Sequence, residues 1–441
     1  MDFSKKRIDK LGAKISKSSG NLLKDDLEEL QEYRKTFKEP LSKVFDALKR
    51  LSLKVDGGSI VTYRIKRIDT IIEKLRRFSD GQNGRMSLST MGDIAGCRCI
   101  LHTEKQVYLL KDLLIKEFGD FISGVDKYDY IKSPKKDGYR SLHLHVKDVN
   151  SDRKVEIQLR TIEQHNWATL VEIVDLIYGT KIKEGKIDNK DLKYFLYLFS
   201  KKNDLLKKEI KDLISIEQKS RIYEKMCNVF SKNFLKIRQQ WMLQEKLQGS
   251  YYVIEVDKEK NSIINRYNNY EEAENAYYTR YKLNKDSNIV LTHIRNAKFE
   301  QISRAYANYI LSVHTFFEDY KLFIEGNVIE TLYNGNIIKL WCDLNLYRKI
   351  TLLYIRALTE ELVAFSKFQN NKSLNKKSLR NWNKDCYKTI QKWNDSANVF
   401  INKQIKSIRG RKSCFPIIMI QYFLLQRQIK SQVSRQLKEY N

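Results

Sequence analysis

The sequence predicts an α+β protein: a mixed sheet with flanking helices, then a small α/β module, then a helical C-terminal region. Three observations carry that expectation. Apolar runs of strand length alternate with amphipathic helical stretches between residues 56 and 200. Two of those runs flank the turn sequence 148–152 (DVNSD), which marks a hairpin and therefore an antiparallel pair. Beyond residue 320 the strand signals stop, and helical periodicity with frequent lysine takes over.

Taken in order, residues 1–55 place Leu22, Leu23, Leu27 and Leu30, then Val44, Phe45, Leu48 and Leu51, at helical spacing, with Pro40 between the two stretches. Asp56-Gly57-Gly58 is a break. Residues 59–66 (SIVTYRIK) read as a strand feeding a helix over 69–77, and on that strand Arg64 and Lys66 project from one face. A polar loop (FSDGQNGRMSLS) precedes the apolar run 94–101, where Cys97 and Cys99 share a face. A helix over 104–118 follows, then a further strand within 121–131 and a basic, turn-rich loop at 132–140 (KSPKKDGYR). Strands at 142–147 and 154–160 form the hairpin, and a helix over 162–178 closes the unit. Residues 182–248 are charged and helix-like. A fresh α/β pattern comes next, with strands at 251–256, 262–266 and 288–294 and helices over 271–282 and from 299. The expected domains are 1–55, 56–200, 201–250, 251–320 and 321–441.

Composition bounds the function. A length of 441 residues suits two or three domains, and 42% hydrophobic content excludes a disordered chain. The charged N-terminus has no apolar stretch behind it, so no secretory signal is read. The run 415–425 contains Gln421 and falls short of the roughly 20 residues a membrane span needs; it reads more simply as a buried core helix than as one lying on a membrane surface. The six cysteines are scattered without a CxxC pair, which points away from zinc or a disulfide framework and towards a cytoplasmic protein. Lys+Arg number 82 against 54 Asp+Glu, a net charge of +28, so an anionic partner is expected. Residues 371–441 hold 16 Lys/Arg and 3 acids, which concentrates the excess at the C-terminus.

Three segments combine the residue types that polyphosphate chemistry needs. Arg64-x-Lys66 with Lys74 beyond aims cations from a strand end and the next helix, as a triphosphate requires, although a solvated basic face would look the same. Asp93, at the entrance to an apolar strand, is placed as a magnesium ligand or as a turn-forming cap. The most specific segment runs from Asp129 through Lys132, Lys135, Lys136, Tyr139, Arg140 and His143 to the second hairpin strand, where Glu156, Gln158 and Arg160 alternate with Val155, Ile157 and Leu159. A solvent face explains the alternation but not the basic loop gathered around a Gly-Tyr turn.

Together these segments resemble the RelA/SpoT nucleotidyltransferase family of alarmone synthetases. The family pattern R-x-K with a downstream Lys, D-I-x-G-x-R, D-Y-I-x-x-P-K-x-x-G-Y-R-S-x-H and V-E-x-Q-x-R-T is present in order across about 55–180. Residues 164–172 (QHNWATLVE), 181–185 (KIKEG) and the 251–315 module, ending in 305–309 (AYANY), are similar to a longer-chain branch. The resemblance implies a nucleotidyltransferase-like sheet and transfer of the β,γ-pyrophosphate of ATP to a ribose 3′-hydroxyl, releasing AMP, with Mg2+ as cofactor. By motif, Arg64 and Arg98 would sandwich adenine, Lys66 and Lys74 would hold the ATP phosphates, and Asp93 would bind magnesium. Glu156 would be a second metal contact or the base. Tyr139 would stack on the acceptor base, Lys135, Arg140 and His143 would lie near the acceptor or the pyrophosphate, and Gln158 and Arg160 would line the same strand face. His102, His145, His165, His293 and His314 are expected to be structural or superficial. The family's hydrolase carries a metal site built on histidines, and the residues before Arg64 contain none, so hydrolysis is not expected of this part of the chain.

The resemblance leaves the acceptor open. GDP or GTP gives (p)ppGpp; the tRNA 3′ end gives a translation-inhibiting toxin; an inactive nucleotide or RNA sensor is a third reading, which intact Asp93 and Glu156 oppose. A synthetase without a hydrolase further suggests an antitoxin or trigger protein as partner. Lys/Arg interleaved with Trp382, Tyr387, Trp393 and Phe400 has the composition of an RNA-binding surface, while a basic bundle with an aromatic core is favoured, since tryptophan at helical spacing is usually packing.

Overall fold

A computed structural model describes residues 3–18, 22–78, 86–180, 189–201, 204–245, 247–257, 259–284, 287–295, 297–310, 314–369, 375–407 and 414–438. Residues 181–185, part of the longer-branch pattern, and 79–85 of the polar loop lie outside them. The elements are α1 (Lys5–Lys17), α2 (Lys24–Lys35), α3 (Lys38–Val55), β1 (Ile60–Ile65), α4 (Ile68–Arg77), β2 (Ala95–Leu101), α5 (Glu104–Phe118), β3 (Ile122–Ser123), β4 (Leu142–Lys147), β5 (Lys154–Thr161) and α6 (Ile162–Tyr178). After them come α7 (Lys190–Ser200), α8 (Lys207–Ser220), α9 (Ile222–Leu243), β6 (Tyr251–Val256), β7 (Ser262–Tyr267), α10 (Tyr270–Leu283), β8 (Asn288–His293), α11 (Phe299–Ala305), α12 (Ala307–Ile310), α13 (His314–Asn334), α14 (Ile337–Gln369), α15 (Lys376–Ser407) and α16 (Phe415–Lys438). None of the described helices is long and apolar enough to cross a membrane.

The chain divides into two compact units. The first comprises residues 1–165, 247–259 and 264–305, and the second 166–246, 260–263 and 306–441. This division cuts across the five expected segments, because strands distant in sequence share one sheet.

That sheet has eight strands in the order β3-β4-β5-β2-β1-β8-β6-β7. β2 and β5 run parallel, while β1–β2, β4–β5, β1–β8 and β6–β8 are antiparallel, so the sheet is mixed as expected. The 251–293 strands, expected as a module of their own, extend the same sheet: Tyr63 and Arg64 of β1 pair with His293 and Thr292 of β8. The physical reason is the edge. Without β8, β1 would expose a row of unpaired backbone groups, and here the buried Thr292 hydroxyl donates to the Tyr63 carbonyl at 2.9 Å. The strand expected within 121–131 is short, Ile122–Ser123, with one further antiparallel bridge between Asp129 and Leu142. Gly124 at φ +83° turns the chain. Asp129 then accepts from the amides of Ile131 and Lys132, each at 3.1 Å, turning the chain after that bridge.

Register decides what each sheet face carries. Tyr63, Cys97, Ile157 and Leu144 stand in one lateral row, and Val61, Cys99, Leu159 and Leu142 in the next. Those side chains are buried in one core with Leu41, Val44, Phe45 and Leu48 of α3 and Val107, Leu110 and Leu114 of α5. The opposite face carries the rows Arg64–Gly96–Glu156–His145 and Thr62–Arg98–Gln158–His143. Period-2 alternation has thus placed a polar platform on the back of an apolar sheet.

The described part of the second unit is helical apart from the short stretch of β7. Tyr223 and Tyr320 stack at 4.3 Å, and the Tyr320 hydroxyl donates to buried Glu217 at 3.0 Å. Trp382, Trp393 and Phe400 are buried, and Trp393 packs on Tyr354 at 4.2 Å. These aromatics form core, which decides for the basic bundle over the RNA surface; only Tyr387 of that group is exposed, at 39%. Helix α16 is likewise not fully buried: Ile418, Gln421 and Leu425 face inward, while Phe415, Ile420 and Phe423 are exposed.

Candidate active site

The polar platform holds two clusters, each centred on a carboxylate. In the first, Lys66 follows the end of β1 and Lys74 sits on α4. Their ammonium groups donate to Asp93 at 2.6 and 2.9 Å, one to each carboxylate oxygen. The Lys66 amide also donates to the Ile94 carbonyl at 2.7 Å, so backbone and side chain fix the same juncture. Burial pushes the Asp93 carboxyl up, but the two lysines outweigh it and hold the group below its ordinary value. Lys66 is pulled down by burial, aided by the charges of Lys74 and Arg64 and opposed by Asp93.

In the second cluster Glu156 shares a 2.9 Å hydrogen bond with His143 Nδ1 and accepts one from Gln158 Nε2 at 2.7 Å. The other nitrogen of His143 shares a 2.8 Å bond with the Tyr139 hydroxyl, to which Arg160 donates at 2.5 Å. Arg160 also donates to Gln158 Oε1 at 3.1 Å and Ser141 Oγ at 3.3 Å, closing a ring of polar groups across β4 and β5. Gly138, at φ +92°, makes the turn that delivers Tyr139, a conformation favouring glycine. Lys135 on the same turn lies 4.4 Å over the Tyr130 ring and 5.0 Å over Tyr139. Arg140 carries a buried Nε with no hydrogen-bond partner among the described residues. Burial raises the Glu156 carboxyl, yet His143, Gln158 and His145 hold it well below the carboxylate range.

Burial also pushes the Tyr139 phenol up, but the Arg160 guanidinium and His143 reverse the shift and bring it down to about 7. We expect one of the 26 tyrosines to ionise between about pH 6 and 8, seen as a rise in phenolate absorbance that Tyr139→Phe removes. Because the folded value lies below the ordinary 10, the phenolate adds stability as pH rises from about 7 to 10, and that gain is lost as pH falls through 7. No such early step in the intact chain refutes the assignment.

Register places Arg64 across from Gly96 and Arg98 across from Thr62, so the two arginines are diagonal neighbours on the platform. Every expected site residue of β1, β2, β4 and β5 falls on this face. His145, expected to be structural, lies there too: it stands opposite Glu156, and its ring is 3.2 Å from where a Cβ on Gly92 would be. Its position two residues after His143 was the available signal. His102, by contrast, bonds Asp56 at 2.6 Å, and His165 shares a 2.9 Å bond with the Arg304 carbonyl.

No group of three or more His, Cys, Asp or Glu that could cage a metal occurs among the described residues. The donor set still fits magnesium, which takes one or two carboxylates and completes its shell from substrate phosphates and water. His145 links the two carboxylates in space: it stands opposite Glu156 in the sheet and beside Gly92, the residue before Asp93.

A family model described as "Region found in RelA / SpoT proteins" matches residues 63–183, the span that contains both clusters. Residues 63–183 are thus similar to the region shared by RelA and SpoT proteins. Over 130 residues the chain is 36% identical to GTP pyrophosphokinase YjbM of Bacillus subtilis, a match covering 28% of this chain and 59% of that one. GTP pyrophosphokinase YwaC of the same organism is 36% identical over 113 residues, 24% of this chain and 53% of the relative. The chain therefore spans between about half and three fifths of the length of these curated relatives. Among solved structures, small alarmone synthetase 1 from Bacillus subtilis aligns over 44% of this chain and 99% of its own at 26% identity, with a TM-score of 0.33.

Proposed function

We propose that the chain is a pyrophosphokinase that transfers the β,γ-pyrophosphate of ATP to the ribose 3′-hydroxyl of GDP or GTP, forming (p)ppGpp. The observation that carries this reading is the pairing of two carboxylate clusters on one polar sheet face, Asp93 beneath two lysines and Glu156 within the His143–Tyr139–Arg160 ring. The similarity to the two Bacillus subtilis GTP pyrophosphokinases supports it.

In this reading Lys66 and Lys74 leave Asp93 for the ATP phosphates, and the diagonal pair Arg64 and Arg98 embraces the adenine. A magnesium ion held by Asp93, with Glu156 as its second contact, would neutralise charge on the triphosphate. Tyr139 orients the acceptor base, with Lys135 and the unpartnered Arg140 Nε placed for its phosphates. Gln158 and Arg160 keep Glu156 and Tyr139 in position. The acceptor 3′-oxygen bonds to the β-phosphorus, the bond from that phosphorus to the α-phosphate bridging oxygen breaks, AMP departs, and the hydroxyl proton passes to the Glu156–His143 pair. Such a transfer depends on in-line placement and charge neutralisation, and the lysines and arginines of this face are suited to the second.

The test is purified full chain with γ-labelled ATP, Mg2+ and, in separate reactions, GDP, GTP or deacylated tRNA. Label on GDP or GTP is the expected result. Label on tRNA alone would replace this acceptor assignment with the toxin reading, and no label on any acceptor would leave the sensor reading.

A further inference from the structure

The C-terminal basic excess has no part in the site above, and α15 organises it. Lys376, Arg380, Lys384, Lys388 and Lys392 recur every four residues, and all five are exposed. Residues four apart are neighbours about 6 Å apart along the axis, so the row extends about 24 Å. It forms one ridge crossing the exposed side of the helix obliquely. The opposite face is accounted for, since Leu379, Trp382, Cys386, Ile390, Trp393 and Ala397 are buried.

We propose that this ridge binds the phosphodiester backbone of a nucleic-acid strand. Like charges at four-residue spacing weaken a helix, whereas Lys24–Glu28, Lys43–Glu39 and Arg356–Glu360 set opposite charges at that spacing. On the α15 ridge only Lys392 has an acidic partner among the described residues, Glu318 at 3.8 Å. Asp385 and Asp395 lie off the four-residue repeat. A linear series of cations at this step matches a polymer with one negative charge per unit better than a compact acidic patch. Exposed Tyr387, three residues beyond Lys384, offers a ring to an unstacked base. A membrane fits less well, because the apolar face of α15 is spent inside the protein.

The full chain is titrated against fluorescent 20-nucleotide RNA and DNA strands at several salt concentrations. One variant changes Lys376, Arg380, Lys384 and Lys388 to Gln; a control of equal charge loss changes the exposed Lys5, Lys6, Lys10 and Lys17 to Gln. The ridge variant is expected to bind at least about tenfold more weakly and to lower the log–log salt slope by about 3, at about 0.7 for each phosphate no longer neutralised. The control should keep most of the slope, and replacing Lys376, Lys384 and Lys388 by Arg should restore binding. RNA and DNA arms identify which strand is preferred. Equal losses in ridge and control variants would overturn the proposal. So would poly-glutamate or phosphatidylserine vesicles losing binding in the ridge variant while the strands do not.

Discussion

Glu156→Gln is expected to lower kcat for pyrophosphate transfer by about 10²–10⁴ while leaving the KM for ATP within about threefold. That loss corresponds to about 3–5 kcal/mol of transition-state stabilisation. Glutamine keeps the size of the side chain and one acceptor oxygen for His143 or Gln158, so the fold is retained and the charge alone is removed. The charge has two uses. In the proposed mechanism it would contact the magnesium ion, and it holds His143: burial pulls that imidazole down, but Tyr139 and the Glu156 hydrogen bond carry it above its ordinary 6.5. The free-enzyme carboxylate, held so far below its ordinary range, is a weak base by itself. In the proposed mechanism proton acceptance therefore falls to the Glu156–His143 pair, and the approach of anionic substrate would raise the pKa of both members. In the glutamine variant the His143 pKa should drop, as the imidazole proton resonance followed against pH would report. A glutamine variant retaining more than about a tenth of wild-type kcat would remove Glu156 from the chemistry.

The site strands were legible because their alternation is regular: Val155, Ile157 and Leu159 needed a core, which forced Glu156, Gln158 and Arg160 to the other face. Periodicity is local, however, and cannot say which strands become neighbours. The 288–294 run reads as a strand, but nothing in it names β1 as partner, so the 251–293 segment looked self-contained. Periodicity also gave no warning at Asp129, whose side chain folds 129–132 into a turn by capturing amides within reach. Tryptophans among lysines suit a basic bundle more than an RNA surface; burial of Trp382 and Trp393 decides for packing and leaves recognition to the lysines. His145 satisfied the same strand parity as His143, yet lacked a motif of its own. Least legible was Arg34, one cation among 82 Lys+Arg, whose acidic partner lies 240 residues away.

Arg34→Met is expected to destabilise the first unit by about 3–5 kcal/mol, the usual cost of leaving one member of a buried ion pair alone. Arg34 is 0% exposed and Glu274 1%. The guanidinium Nη1 donates to Glu274 at 3.0 Å and to Gln31, Gln31 donates to Glu274 at 2.6 Å, and the guanidinium lies 4.7 Å from the centre of the Tyr277 ring. Removing the cation strands a carboxylate among tyrosines. Replacing both charges, as Arg34→Met with Glu274→Leu, should recover most of the loss, because an apolar pair needs no desolvation of ions. Recovery of stability is not recovery of the site. Arg34 Nε also donates to the Lys66 carbonyl at 3.0 Å, and the Tyr277 hydroxyl accepts from the Ile68 amide at 3.2 Å, so this cluster clamps the elbow between β1 and α4 that presents Lys66 and Lys74 to Asp93. The double variant should therefore unfold in urea near the wild-type midpoint yet show a raised KM for ATP, with the KM for the acceptor little changed. Loss of stability in the double variant equal to that in Arg34→Met would contradict the ion-pair account. Unaltered ATP kinetics in a stable double variant would contradict the positioning of Lys66 by Arg34.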